Sequence, residues 1–135
     1  MNFQNAAKTG FRRAFDFKGR SSRSEFWYWV LFSLILSFTT SFVDQLIFGS
    51  SFAAVGPLGL ILALILFIPN ISITFRRLHD INKSAWWLLI LCIPFIGIIM
   101  FIVWHCSKGT KGPNRFGPDP LMLDAVDVTF IDNTL

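Results

Sequence analysis

Three stretches of this sequence carry no Asp, Glu, Lys or Arg: Phe26 to Val43, Gln45 to Phe75 and Ser84 to Ser107, of 18, 31 and 24 residues. A helix needs about 20 predominantly apolar residues to cross the roughly 30 Å of hydrocarbon in a bilayer, and each run is of that order. The runs are apolar throughout rather than striped, so they do not read as faces of soluble helices. Composition agrees: of 135 residues, 53% are hydrophobic and 15% charged, against roughly 45–50% and 25% in soluble domains. An ordinary cytosolic enzyme or nucleic-acid-binding domain is excluded on this ground. The net charge of +4 is then a statement about membrane topology, with no nucleic acid expected as partner.

The expected fold is an all-α membrane protein with an N-terminal interfacial amphipathic helix, three transmembrane helices, a turn-rich loop and a polar C-terminal tail. Residues 1–25 form the basic interfacial segment, in which Lys8, Arg12, Arg13, Lys18, Arg20 and Arg23 outnumber Asp16 and Glu25. Phe3, Ala7, Phe11 and Phe15 recur every four positions, a spacing that predicts a short helix lying on the membrane surface. A disordered basic leader is the alternative. The segment does not read as a secretory signal, because the apolar run behind it exceeds the roughly 7–15 residues of such signals.

The transmembrane domain is placed at 26–104, with spans at about 26–43, 52–75 and 85–104. Phe26, Trp27, Tyr28 and Trp29 mark the entry of the first span at headgroup level. Asp44 marks its far end, ahead of Gly49, Ser50 and Ser51. The second span holds Pro57 near its start and Pro69, which is expected to kink the last two turns. The third has Ser84 as N-cap, and its Trp87 and Trp104 are expected about 25 Å apart on one helix, bracketing a bilayer core. Pro94 and Gly97 raise a rival, a re-entrant hairpin. Its arms of about ten residues are too short to cross, so a single kinked span is preferred. Residues 105–120 form a Gly/Pro-rich loop and 121–135 an acidic tail, within which Val126 to Ile131 can pair as a strand.

Positive charge favours the cytoplasmic side, which places the N-terminus in the cytoplasm and Arg76, Arg77 and Lys83 with it. Three spans would then leave Lys108, Lys111 and Arg115 outside, against the rule. The hairpin would remove that conflict.

No Asp, Glu, Lys, Arg or His lies within the span interiors, which argues against an ion-coupled transporter. Ser33, Ser37 and Ser41 at four-residue spacing, and Gly59 with Ala63, are small enough for close helix packing, either within the chain or in a homo-oligomer. Asn70, Ser72 and Thr74 can bond to another helix or to carbonyls freed at Pro69. Cys92 and Cys106, 14 residues apart on one expected helix, do not fit a disulfide, and there is no zinc spacing. No metal or cofactor is expected. The densest polar cluster is R-R-L-H-D: Arg76 and Arg77 can grip phosphates while Asp80 orients His79, or the arginines simply end a span and Asp80 pairs with one of them. The second cluster is G-T-K-G-P-N-R-F-G-P-D-P, Gly109 to Pro120. There Asn114, Arg115 and Asp119 are candidate contacts for lipid or a partner, Arg115 and Asp119 can pair across the loop, and Phe116 can anchor it.

Taken in order, F-K-G-R-S-S-R-S-E-F-W (Phe17 to Trp27), F-R-R-L-H-D-I-N-K-S-A-W-W (Phe75 to Trp87) and I-P-F-I-G followed by Gly109 to Pro120 resemble the bacterial inner-membrane family called domain of unknown function 805. The resemblance covers about residues 10 to 120. It implies a small integral protein of bacterial inner membranes with no established activity, supplies no catalytic residues, and makes both polar clusters part of a shared pattern. The expected function is interaction with membrane lipids or a membrane-protein partner, itself included. A pore or transport component is the alternative, and a lipid-modifying enzyme using His79 and Asp80 a third. The enzyme needs both polar clusters on one face, which only the hairpin allows.

Overall fold

The computed structural model describes residues 1–49 and 55–124. Its elements are α1 (Phe3–Arg12), α2 (Arg23–Phe48), α3 (Pro57–Asp80), a 3-10 helix (Ala85–Cys92) and α4 (Ile96–Cys106). Among the described residues there is no strand, only an isolated bridge between Asn114 and Gly117. The all-helical expectation holds; the candidate strand at Val126 to Ile131 lies outside the described residues.

Local chemistry sets the helix boundaries. The Ser22 hydroxyl accepts from the Glu25 amide at 3.3 Å and starts α2 with an acid in its first turn, where the helix dipole favours one. Pro57 opens α3, the position where its missing N–H costs nothing. The cap comes from another helix: Asp44, buried near the end of α2, accepts from the Leu58 and Gly59 amides at 3.1 and 2.8 Å. Gly56 makes this approach possible, since a β-carbon there would fall on the Asp44 side chain, while one at Gly59 would stay at ordinary contact distance from it and Ala63 is exposed. α3 continues through Pro69 as one helix.

Among the described residues, α2 and α3 are the two helices long and apolar enough to cross a membrane; at 26 and 24 residues each extends more than about 35 Å. Their middles turn large apolar side chains outward, Phe38 being 79% exposed and Leu64 69%. Between them lies a small core of Phe26, Trp29, Leu66 and Ile73. α1 crosses the start of α2, with Phe11 edge-on to Trp29 at 5.1 Å and Phe3 edge-on to Tyr28 at 6.2 Å. The aromatic stripe of the N-terminal segment thus docks on a helix, except for Phe15, which follows the end of α1 and is exposed.

Residues 85–104 do not form one helix. The 3-10 helix, capped by Ser84 as expected, stops before Pro94, whose ring forces Ile93 into an extended conformation (φ −96, ψ 105). Phe95 then turns the chain at φ 64, ψ −60, and the Ile96 amide donates to the Pro94 carbonyl at 2.8 Å, a γ-turn that bulky residues rarely adopt. α4 folds back on the 3-10 helix. At Gly97 a β-carbon would land on the main chain of Ile90 and Leu91, so only glycine admits this approach. Trp87 and Trp104, expected at opposite ends of a span, touch edge-to-face at 5.6 Å, with the Lys83 ammonium 4.9 Å from each ring. This corrects the single kinked span. A helix of 11 residues rises only about 16 Å, half the depth of a bilayer core. Cys92 and Cys106 stay free.

Candidate functional site

The hairpin brings the segment after Cys106 back to the C-terminal end of α3, and the loop before α2 packs there as well. Sequence distance collapses at this end. Arg20 donates to Asp80 Oδ1 at 3.1 and 3.0 Å and to the carbonyls of Thr110, Gly112 and Gly117 at 2.6, 2.7 and 3.2 Å. Arg77 donates to Asp80 Oδ2 at 2.6 Å and to the His105 carbonyl at 3.3 Å, and also to the Ser107 carbonyl. Asp80 is thus held between two guanidinium groups, each of which gathers the carbonyls of the loop. A guanidinium suits this task because its planar fork presents five donors at fixed angles.

A second pair lies beside it. Arg76 Nη1 meets Glu25 Oε1 at 3.1 Å, with both side chains almost wholly enclosed. The Ser21 amide donates to the Arg76 carbonyl at 3.1 Å, and the Ser72 hydroxyl donates to the carbonyls of Arg13 and Asp16 at 3.0 and 2.7 Å. Further along α2, Trp29 Nε1 donates to Asn70 Oδ1 at 2.7 Å. Of the three polar residues expected to bond near Pro69, Asn70 therefore reaches a helix, Ser72 the N-terminal loop, and Thr74 the Asn70 carbonyl of its own helix.

The sequence-predicted contact residues divide by exposure. Arg76 and Arg77 have no accessible surface, and His79, Asp80 and Asp119 are buried. Asp80 does not orient His79. The His79 ring donates from Nδ1 to the Gly19 carbonyl at 3.2 Å and stacks on Phe116 at 3.9 Å, which gives Phe116 its anchoring role. Asn114 donates to the His79 carbonyl at 2.9 Å. Arg115 is exposed and bonds the Asn82 carbonyl at 3.1 Å, while Asp119 accepts from the Gly112 and Leu121 amides at 2.9 and 3.0 Å. The expected Arg115–Asp119 pair is absent because each is already engaged elsewhere. Both polar clusters share one end, as an enzyme would need. Asp80, however, is spent on two arginines and His79 on a carbonyl. Ser33 and Ser37 line a groove between α2 and α3, and Ser41 is exposed beyond it.

Arg20 and Glu25 are central here, yet nothing in the sequence singles them out among the charges of residues 1–25. The available signal is Ser22 followed three residues later by Glu25, a capping-box spacing. It would assign Glu25 to its own helix, whereas the carboxylate reaches Arg76 of α3.

Charge at this end is sorted by depth. Among the described residues, every carboxylate is buried or half-buried: Glu25, Asp80 and Asp16 pair with arginines, Asp124 with the N-terminal amine at 3.1 Å, and Asp119 with backbone amides. The exposed charges are all cations: Lys8, Arg12, Lys18, Arg23, Lys108, Lys111 and Arg115. Asp16 shows the balance in the N-terminal loop. Burial raises its carboxyl pKa, but the Arg13 guanidinium and the Gly19 and Lys18 amides outweigh this and hold it below the usual 3.8. A carboxyl depressed on folding adds stability above its unfolded value, and that stability is lost as pH falls through the folded one. Protection of the Gly19 amide against hydrogen exchange, taken relative to its intrinsic rate at each pH, is therefore expected to fall on acidification below 3.8, and Asp16→Asn to flatten that dependence. An equally steep response in Asp16→Asn would assign the effect to another group.

Residues 14–118 match the family described as "Protein of unknown function (DUF805)". The chain is 42% identical over 104 residues to inner membrane protein YhaH of Escherichia coli (strain K12), covering 77% of this chain and 86% of that one. It is 38% identical to inner membrane protein YhaI of the same strain, again over 104 residues, covering 77% and 85%. No solved structure matches.

Proposed function

The chain belongs to the DUF805 family, and on that premise we propose that it is an integral inner-membrane protein acting by interaction through a cationic cytoplasmic surface. α2 and α3 cross the bilayer, the 85–106 hairpin enters it from the cytoplasmic side and returns, and the N-terminal segment and the 107–119 loop lie together in the cytoplasm. The observation that carries the proposal is the sorting of charge: acids are turned inward and neutralised while seven cations face out at one end. The three basic segments then obey the positive-inside rule together, which three full spans do not allow. Asp44 caps α3 at the opposite end, where no exposed cation competes for it. The buried network is the frame that holds this surface, and candidate contacts to lipid or partner fall to Arg115 and Asn114 and the neighbouring lysines.

Reporter fusions test the topology. Cytoplasmic reporters are expected to be active when fused at either terminus, and a periplasmic reporter when inserted at Gly49. Periplasmic activity of the C-terminal fusion would overturn the arrangement. Lys108→Glu, Lys111→Glu and Arg115→Glu together are expected to leave insertion intact while weakening capture of co-purifying lipid or protein. Unchanged capture would sink the contact role.

A further inference from the structure

The intramembrane side of the polar end opens into a groove of about 380 Å³ between α2 and α3, with Phe101 of α4 also in its lining. Its wall is mostly apolar, with Ser33 and Ser37 contributed by α2 and Asn70 and Thr74 by α3. Three features are ordered down it. At the top stands Arg23, exposed, one turn before the lining residue Trp27, with only its Nη1 engaged, on the Cys106 carbonyl at 3.3 Å. At the level of Trp29, about 9 Å along α2 from Arg23, comes Asn70. The Trp29 ring occupies the oxygen of that side chain, which leaves its Nδ2 hydrogens without an acceptor among the described residues. Below lies the apolar wall, with the Ser33 hydroxyl also without a partner.

Donors in hydrocarbon that lack acceptors are costly, and no water is there to serve them. A ligand with a matching order of groups relieves that cost. We infer that this groove seats one anionic phospholipid: its phosphate on Arg23, a glycerol ester carbonyl accepting from Asn70, and one acyl chain along the wall. Cation, amide donor and apolar surface follow one another as phosphate, ester and chain do in the lipid. Charge complementarity selects an anionic headgroup, because the exposed charges at the mouth are cations and the carboxylates of that end are turned inward. The inference rests on the proposal that α2 and α3 cross the membrane with the polar end at a headgroup layer.

The test is native mass spectrometry of the full chain, released from micelles holding equal phosphatidylglycerol and phosphatidylcholine with identical acyl chains. Wild type is expected to retain one phosphatidylglycerol in preference. A basic residue near a membrane surface is worth about 1 kcal/mol, so Arg23→Gln is expected to lower that preference about fivefold. Ser37→Phe, which fills the groove from an exposed position, is expected to abolish retention of both lipids. Lys18→Gln, a cation of the same surface away from the groove, is expected to shift that preference by less than about twofold, as a general surface charge does. Equal retention of the two lipids by wild type would overturn the inference. So would an equal effect of Arg23→Gln and Lys18→Gln, which would mean general surface attraction. Disulfide-linked dimers of Ser37→Cys in native membranes would place a second copy in the groove instead. The reporter pattern separates the two failures, since a wrong lipid site leaves the cytoplasmic C-terminus as it is.

Discussion

Asp80→Ala is expected to destabilise the folded chain by about 3–5 kcal/mol, the usual cost of removing one partner from a buried ion pair. The loss is large because two buried cations depend on this one carboxylate. Arg20 and Arg77 each bond one of its oxygens, and both are enclosed. Without Asp80 two guanidinium charges are left with carbonyl partners alone, and the loop they gather loses its anchor. Proteolysis of residues 107–119 and the detergent denaturation midpoint should both report it. Arg115→Ala is the comparison: its side chain is exposed, with one hydrogen bond to the Asn82 carbonyl and its guanidinium 4.7 Å from the Phe116 ring, so a change of no more than about 1 kcal/mol is expected. Equal effects of the two substitutions would show that the network does not hold the end together.

Gly97→Val is expected to open the hairpin. The atoms a side chain would strike are main-chain atoms of Ile90 and Leu91, which cannot yield as the tip of a flexible side chain can. Overpacking typically costs about 1–3 kcal/mol, and here it falls on two short arms already turned through a strained residue, Phe95 at φ 64. Once the arms separate, the Trp87–Trp104 contact and the Lys83 ammonium between the rings are lost, and the loop leaves Arg20 and Arg77. Cleavage at Lys108 and Lys111 by trypsin in inverted vesicles should accelerate by about tenfold or more, following 1.4 kcal/mol per decade. Unaltered cleavage would mean that the close approach at Gly97 does not maintain the hairpin.

Much of the architecture is legible in the sequence. Charge-free runs locate α2 and α3, Ser84 reads as a cap, and the regular Phe spacing finds α1. These features are local: they depend on hydropathy, period and the backbone groups left open at helix ends. The hairpin is not legible in the same way. Residues 85–104 are apolar enough and long enough for a span, so hydropathy cannot separate one helix from two packed arms. Pro94 and Gly97 point to a break, but a kinked span accommodates both.

The candidate site is half legible. Arg76, Arg77, His79 and Asp80 stand out as a dense cluster, and the family resemblance joins them to the Gly109 to Pro120 loop. Their roles are not visible there, because Asp80 finds Arg20 at a separation of 60 residues and Arg77 finds the Ser107 carbonyl 30 residues away. A side chain's partner across such distances is set by where the backbone returns, and composition does not encode it.

By itself the sequence determined that this chain is helical, apolar and asymmetric in charge, since transfer of uncharged helices into hydrocarbon and exclusion of charges from it follow from residue type alone. Only the tertiary structure decided that residues 85–106 turn back. There, glycine lets two backbones meet, and buried guanidinium groups need the carbonyls that the returning loop supplies. That return gathers every basic segment at one end and turns a scattered excess of cations into a single surface.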